Sequence, residues 1–400
     1  MKNYSTKKSF KEIRLNIIYK CVIPLARVFF RVFYNYKCPK PVDIKNPVIV
    51  LSNHVTDFDA FFVTSGFKRQ MYFIASENCF RKGFKSKLLT WAFDPISKIK
   101  GASDTLAVMK AVRYLKEGKN ICIFPEGGRT FNGRTVPVKI ATGKLVKISG
   151  ASLATFKISG GYLNIPRWGF GRRKGPWSGK VMGIYSAEEL KNMTPQQIMD
   201  IVNRDLYEDA YQNQAVSPKK YKGKNLALGM ECALCVCPEC KTIGSIKTSG
   251  DEVFCTKCNL KTKVDEYGLF GKDFPFENVA QWDDWQEAFY KDYTDSIKDN
   301  NTPVVFDENV NLQTVDSNHQ TVALGCGTFS LYKDRFCFKT ADKEINLPVN
   351  KIPDCSVFSR TNFNFSDDEG LHYELFTDRL INVRKYLSVW TILREQNQEN

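Results

Sequence analysis

Apolar and polar positions follow several rhythms along this chain, and each rhythm predicts a different kind of element. From Ile13 to Tyr34 large apolar residues crowd together, but Lys20, Arg27 and Arg31 interrupt them. A bilayer span needs roughly 20 consecutive apolar residues. Residues 1–40 therefore read as helices lying in a membrane interface, divided at Pro24. Core-packing helices are the alternative. Val48-Ile49-Val50-Leu51 and Asn120-Ile121-Cys122-Ile123-Phe124 are short apolar runs of buried-strand type. Thr56 or Asp57 is placed to cap a helix over the apolar residues that start at Phe58. Met193-Thr194-Pro195-Gln196-Gln197 signals the start of another helix running towards Tyr211, and Pro218 to Lys224 reads as a linker.

Further along, Val279 to Tyr290 is amphipathic, with an aromatic stripe at Trp282, Trp285 and Phe289 that suits packing. From Val304 onward short strand-like runs alternate with turns: 304–306, 321–324, 327–332, 335–338, 344–347, 355–358 and 372–376. A final amphipathic stretch, Arg384 to Leu393, predicts a closing helix. This gives an α/β domain with a mixed sheet flanked by helices, then a small cysteine-rich unit, then a mostly-β, barrel-like domain with a terminal helix. The expected boundaries are 41–224 for the α/β domain, 225–270 for the cysteine-rich unit, 271–302 for a helical linker and 303–400 for the β-rich domain.

Charge divides the same chain in two. Residues 1–200 carry 35 Lys and Arg against 12 Asp and Glu, whereas residues 251–400 carry 16 against 26. The basic half suits an anionic surface, either membrane or nucleic acid. The acidic balance around the cysteine-rich unit, 6 basic and 12 acidic side chains in residues 251–300, disfavours nucleic acid. The opening segment lacks a small-residue cleavage site, so a secretory signal is not expected. The expected location is cytoplasmic, peripheral on the inner face of the cell membrane. P-loop and dinucleotide fingerprints are absent from the sequence.

Two segments about seventy residues apart carry the candidate chemistry. In Ser52-Asn53-His54-Val55-Thr56-Asp57-Phe58-Asp59, His54 is one of three histidines. Imidazole is suited to accepting a proton near neutral pH. Asp59 could hold its ring and stabilise the resulting cation. Residues five apart do not share a helix face, so the pair meets only if His54 lies in a loop and Asp59 in the first turn of the next helix. In Phe124-Pro125-Glu126-Gly127-Gly128-Arg129-Thr130, glycines permit close approach of a ligand, and the Arg129 fork suits phosphate or carboxylate.

These residues resemble the motifs of the lysophosphatidic acid acyltransferase (PlsC-like) superfamily of glycerolipid acyltransferases. Asn53-His54 and Asp59, four residues beyond the histidine, are similar to that family's first motif. Phe124 to Thr130 resembles its third, with Gly128 where threonine is usual. Lys100, in Ile99-Lys100-Gly101-Ala102-Ser103, stands where arginine is expected, and Ser152 to Lys157 is an atypical fourth block. The resemblance covers roughly residues 45–170. It implies that His54 is a general base oriented by Asp59. It also implies that Glu126, Gly127, Gly128 and Arg129, with Lys100, bind the acceptor. The acyl donor would be acyl-CoA or acyl-ACP (acyl carrier protein), the acceptor lysophosphatidic acid, and the pathway phospholipid synthesis. A glycerol 3-phosphate or other lysolipid acceptor is a second reading, and a catalytically idle membrane-bound adaptor a third. The sequence has no Gly-x-Ser-x-Gly elbow to suggest a covalent acyl-enzyme.

Cysteines announce the middle unit. Cys237 and Cys240 form one Cys-x2-Cys knuckle and Cys255 and Cys258 another, 14 residues apart. Four thiolates at this spacing form a zinc-ribbon pattern and predict a structural Zn(2+) with no open coordination position. Cys232 and Cys235 make a further knuckle, either spare or able to substitute as a ligand. The β-rich domain with its terminal helix resembles a pleckstrin-homology-like barrel.

Overall fold

The structure is a computed structural model that describes residues 10–44, 47–76, 80, 83–98, 105–316 and 320–399. It begins with one helix, α1 (Phe10–Tyr34), not two, and Pro24 lies inside it. A proline in a helix interior costs about 3 kcal/mol. Anchors on both sides of Pro24 offset this. Leu15, Ile23 and Phe30 are buried, the Tyr19 hydroxyl donates to the Phe67 carbonyl, and the Arg27 guanidinium donates to the carbonyls of Ser65 and Pro39. The other side of α1 leaves Leu25, Val28, Phe29 and Val32 exposed. Their i, i+3, i+4, i+7 spacing makes one continuous apolar stripe.

The α/β domain continues as β1 (Tyr36–Lys37), β2 (Val48–Ser52), α2 (Asp59–Ser65), β3 (Met71–Ser76), α3 (Phe84–Phe93), β4 (Ile96–Lys98), α4 (Thr105–Lys116) and β5 (Asn120–Ile123). It then runs through α5 (Ile140–Ser149), β6 (Ser152–Ser159), α6 (Gly161–Asn164), β7 (Trp177–Tyr185), α7 (Ala187–Lys191), α8 (Pro195–Leu206) and α9 (Ala210–Val216). Its sheet has the order β1-β7-β6-β2-β5-β3-β4, with β2 at the centre. Strands β6, β2, β5, β3 and β4 are parallel, while β7 is antiparallel to β6.

Every residue of β2 is buried, as expected for a parallel strand covered on both faces. Val48 and Val50 point into a core shared with Phe62 and Val63 of α2. Ile49 and Leu51 point the other way, against Ala111 of α4, Val146 of α5 and Val202 of α8. The α8 start signal is built as a capping box between Thr194 and Gln197. The helix ends at Leu206, short of the expected end, because Asp209 caps a new helix, α9. In the basic turn at 172–176, Arg173 is buried, its guanidinium lies 5.4 Å over the Trp168 ring, and it donates to the Leu226 carbonyl.

Beyond residue 224, β8 (Ile246–Ser249), β9 (Glu252–Cys255) and β10 (Lys261–Lys263) form a small antiparallel sheet. Helix α10 (Val279–Ser296) follows, with Trp282 fully buried. The last domain is mostly β: β11 (Val305–Val315), β12 (Thr321–Leu331), β13 (Arg335–Lys339), β14 (Glu344–Pro348), β15 (Asp354–Phe358), β16 (Asn362–Ser366) and β17 (His372–Phe376), then α11 (Arg384–Glu399). The strand order is β14-β13-β12-β11-β17-β16-β15. The two expected runs at 321–324 and 327–332 are one strand, β12, bent where Gly325 has φ +116. The core of this domain is continuous with one face of the α/β domain, from Phe30 through the cysteine-rich unit to Leu393.

Candidate active site

Strands β2 and β5 are adjacent and parallel, with Leu51 beside Ile123. Their chains leave the sheet side by side at its carboxyl edge, where open α/β sheets commonly place ligands. This juxtaposition brings the two distant motif segments together. Asn53 ends β2 by pairing with β6 in both directions: its Nδ2 donates to the Ile158 carbonyl at 2.9 Å and its Oδ1 accepts from the Ile158 N–H at 2.8 Å. The chain then turns sharply, and Asp59 becomes the first residue of α2. Neither Thr56 nor Asp57 is the cap residue; Phe58 occupies that position without a side-chain cap. Instead the Thr56 hydroxyl donates to Asp59 Oδ1 at 2.7 Å.

His54 Nδ1 lies 2.8 Å from Asp59 Oδ2. The same Oδ2 accepts from the backbone N–H groups of Val55 and Thr56. The Asp59 side chain is 0% exposed and that of His54 is 26% exposed. Four donors therefore fix a buried carboxylate, and the carboxylate fixes the imidazole. With Nδ1–H directed at Asp59, the Nε2 lone pair is the one left to accept a proton. Phe124 stacks on the imidazole at 4.4 Å between centroids and limits its tilt.

The second segment is clamped to the first by its own side chain. Glu126 Oε1 accepts from the His54 backbone N–H at 2.7 Å, and Oε2 accepts from Val136 N–H at 3.0 Å. The Thr130 N–H returns a bond to the His54 carbonyl at 3.2 Å. Burial pushes the Glu126 carboxyl up to about 8, against the opposing pull of its two backbone bonds. Both oxygens are taken up by backbone N–H groups, so Glu126 is built to position the loop. The sequence-based expectation that it touches the acceptor is not what this geometry favours.

Gly127 has φ +75, a left-handed conformation suited to glycine, and it is exposed beside Gly128. Arg129 Nη1 lies 3.3 Å from Asp57 Oδ2; the Arg129 side chain is 13% exposed and that of Asp57 80%. Lys100 falls outside the described residues. Arg167, which no sequence motif marks, donates from Nη1 to the Arg129 carbonyl at 2.7 Å. Residues 132 and 134 tie this loop to the far side of the chain. Asn132 Nδ2 donates to Asp283 at 2.9 Å, and Arg134 Nη1 to Asp284 at 2.7 Å.

The four predicted ligand cysteines converge. The Sγ atoms of Cys237, Cys240, Cys255 and Cys258 all lie within 4.8 Å of one another. The Cys237–Cys258 and Cys240–Cys255 separations are 3.6 and 3.7 Å. Disulfide sulfurs sit about 2.05 Å apart, whereas four sulfurs each ~2.3 Å from a tetrahedral zinc are separated by roughly 3.8 Å. The donor set and spacing thus fit a structural zinc. Cys232 and Cys235 stand outside the cluster: both are buried, and Cys235 Sγ is bonded to the Tyr290 hydroxyl at 2.9 Å.

Residues 33–159 match the family model described as Acyltransferase, so this part of the chain is similar to an acyltransferase domain. No match was found among curated proteins. Among solved structures, the chain is similar to the crystal structure of the 1-acyl-sn-glycerophosphate (LPA) acyltransferase PlsC from Thermotoga maritima. The identity is 20%, the match covers 47% of this chain and 80% of that one, and the TM-score is 0.37.

Proposed function

We propose that this protein transfers a fatty acyl group from acyl-CoA or acyl-ACP to the free hydroxyl of lysophosphatidic acid. The observation that carries the reading is the His54–Asp59 pair, its carboxylate held by four donors that include the imidazole, set beside a loop whose Arg129 is only partly exposed. His54 Nε2 takes the proton of the acceptor hydroxyl as its oxygen attacks the thioester carbonyl carbon. The tetrahedral intermediate collapses with cleavage of the C–S bond, and the imidazolium returns the proton to the departing thiolate. Asp59 stabilises the imidazolium while it exists. Arg129 receives the acceptor phosphate by exchanging its long contact with Asp57 for charge-assisted bonds.

The exposed apolar stripe on α1 supports a peripheral seat on an anionic membrane surface. Basic residues such as Lys20 and Arg31 share that helix. Among the described residues, no helix is long and apolar enough to cross a membrane. The cysteine cluster is read as a zinc ribbon holding structural Zn(2+). The seven-stranded unit with its closing helix is read as a pleckstrin-homology-like domain, for which the strand order and the terminal α11 are the support.

The test is acylation of lysophosphatidic acid by zinc-loaded protein in detergent micelles, with acyl-CoA and acyl-ACP in parallel and a His54→Ala control. Product that needs the acceptor and disappears in the variant supports the reading. Absence of product with both donors, across lysophosphatidic acid, glycerol 3-phosphate and a lysolipid panel, overturns it.

A further inference from the structure

Positive charge accumulates where the β15–β16 turn of the last domain meets the Glu126–Arg129 loop. Arg167 is 6% exposed. Its three bonds run to neutral carbonyls: Nη1 to Arg129 at 2.7 Å, Nη2 to Val357 at 2.6 Å and Nε to Ser359 at 3.0 Å. None of these acceptors is a carboxylate. Ser359 itself adopts φ +57 at the tip of that turn, and the next residue is Arg360. The Arg360 guanidinium donates to the Gly169 carbonyl and lies 4.3 Å over the Phe170 ring. Its Nε is buried and has no hydrogen-bond partner among the described residues.

Burial makes both Arg167 and Arg360 weaker bases than usual, and repulsion from Arg129 is the next largest influence on each. The carboxylate acting in the opposite direction on both is Asp57, which is largely in solvent and already faces Arg129. Arg384, which also repels Arg167, is neutralised by Asp283 and Glu287. Three guanidiniums and one exposed carboxylate leave an excess of positive charge in a partly desolvated place. A buried charge is costly unless paired, and guanidinium forks match phosphate oxygens bidentately.

We propose that Arg360, supplied by the β-rich domain, completes with Arg129 the site that receives the phosphate monoester of the acyl acceptor. Acceptor selectivity is then set partly by a residue outside the acyltransferase domain, about 230 positions from Arg129 in sequence. Arg167 is the buried strut that holds the two loops in register. This inference rests on the acyltransferase reading above and adds to it a named selectivity residue.

Arg360→Ala and Arg360→Lys, alongside the wild type, are assayed with lysophosphatidic acid and with monoacylglycerol, which offers a hydroxyl without the phosphate. Loss of a charge-assisted fork is expected to raise KM for lysophosphatidic acid roughly 10- to 100-fold in Arg360→Ala. The value of kcat should stay within about threefold, and Arg360→Lys should recover part of the loss. Turnover of monoacylglycerol and KM for acyl-CoA should not change. A rise in KM for acyl-CoA instead would mean that the charge reads the donor's phosphates, and it overturns the proposal. Parallel losses on both acceptors with a lowered melting temperature would show a merely structural role and overturn it equally. Calorimetric titration of the same proteins with glycerol 3-phosphate needs no turnover. If the wild type acylates nothing, the acyltransferase reading fails by itself. Equal phosphate affinity in wild type and Arg360→Ala then overturns this proposal too, whereas weaker affinity in the variant sustains the anion site.

Discussion

Replacing Asp59 by asparagine separates the electrostatic role of this residue from its architectural one. The Asn carbonyl can occupy the Oδ2 position and keep the bonds from His54 Nδ1 and from the Val55 and Thr56 N–H groups. Its amide then faces the Thr56 hydroxyl, which can turn from donor to acceptor. The geometry survives and the charge is lost. A unit charge about 4 Å from the imidazolium, at an effective dielectric constant near 20, is worth roughly 4 kcal/mol. A transition state deprived of that stabilisation is slowed by about 10³-fold. Folding stability of Asp59→Asn should fall by about 1 kcal/mol or less. Asp59→Ala strands two buried backbone N–H groups and the imidazole N–H, each at about 1–3 kcal/mol, and should melt far earlier. Product is best quantified by mass spectrometry, because the chain's 13 cysteines obscure thiol reagents. The reasoning is refuted if Asp59→Asn retains kcat within threefold of wild type, or if it melts with Asp59→Ala.

Two further perturbations probe the supports of the site. The Glu126 carboxyl, ordinarily near 4.5, is raised to about 8 in the fold. Between those values the folded chain holds a proton that the unfolded chain releases. Stability from this group is therefore fully present below about pH 4.5 and is lost as pH rises through about 8, at up to ~1.4 kcal/mol per pH unit. Denaturant unfolding of wild type and Glu126→Gln at several pH values should give a flatter slope for the variant; identical slopes would contradict the burial argument. Metal analysis should find about one zinc per chain, lost on Cys240→Ser or exhaustive chelation. Because Cys237 and Cys255 lie in the core that also holds Trp282 of α10, removal should lower the melting temperature by several degrees and reduce acylation. An unchanged melt of metal-free protein would show that the four thiols fold without an ion.

The site was legible where local patterns suffice. The apolar run at Val48–Leu51 implies a buried strand, and the spacing of His54 and Asp59 requires a loop followed by a helix, which is the geometry of β2 and α2. The clamp of Glu126 on the His54 backbone was not legible, because it depends on β2 and β5 being neighbours. Arg167 and Arg360 carry no local signal: their partners lie some 190 residues away. Strand β16 has no local strand signature, because Asn362, Asn364 and Ser366 are turn-favouring residues. Only pairing with β15 and β17 makes Phe363 and Phe365 a buried set. Pro24 misled for the opposite reason, a sound local rule overridden by anchors from another element.

The bonds from Asn132 to Asp283, from Arg134 to Asp284 and from Arg167 to the β15–β16 turn also bear on the order of events during synthesis. A ribosome that has made residues 1–224 has released His54, Asp59 and Arg129, yet some of the partners that seat the Glu126–Thr135 loop, among them Asp283 and Asp284, are still untranslated. The half-made chain holds these side chains in an unfinished frame, which closes only when α10 and the β15–β16 turn have emerged and docked.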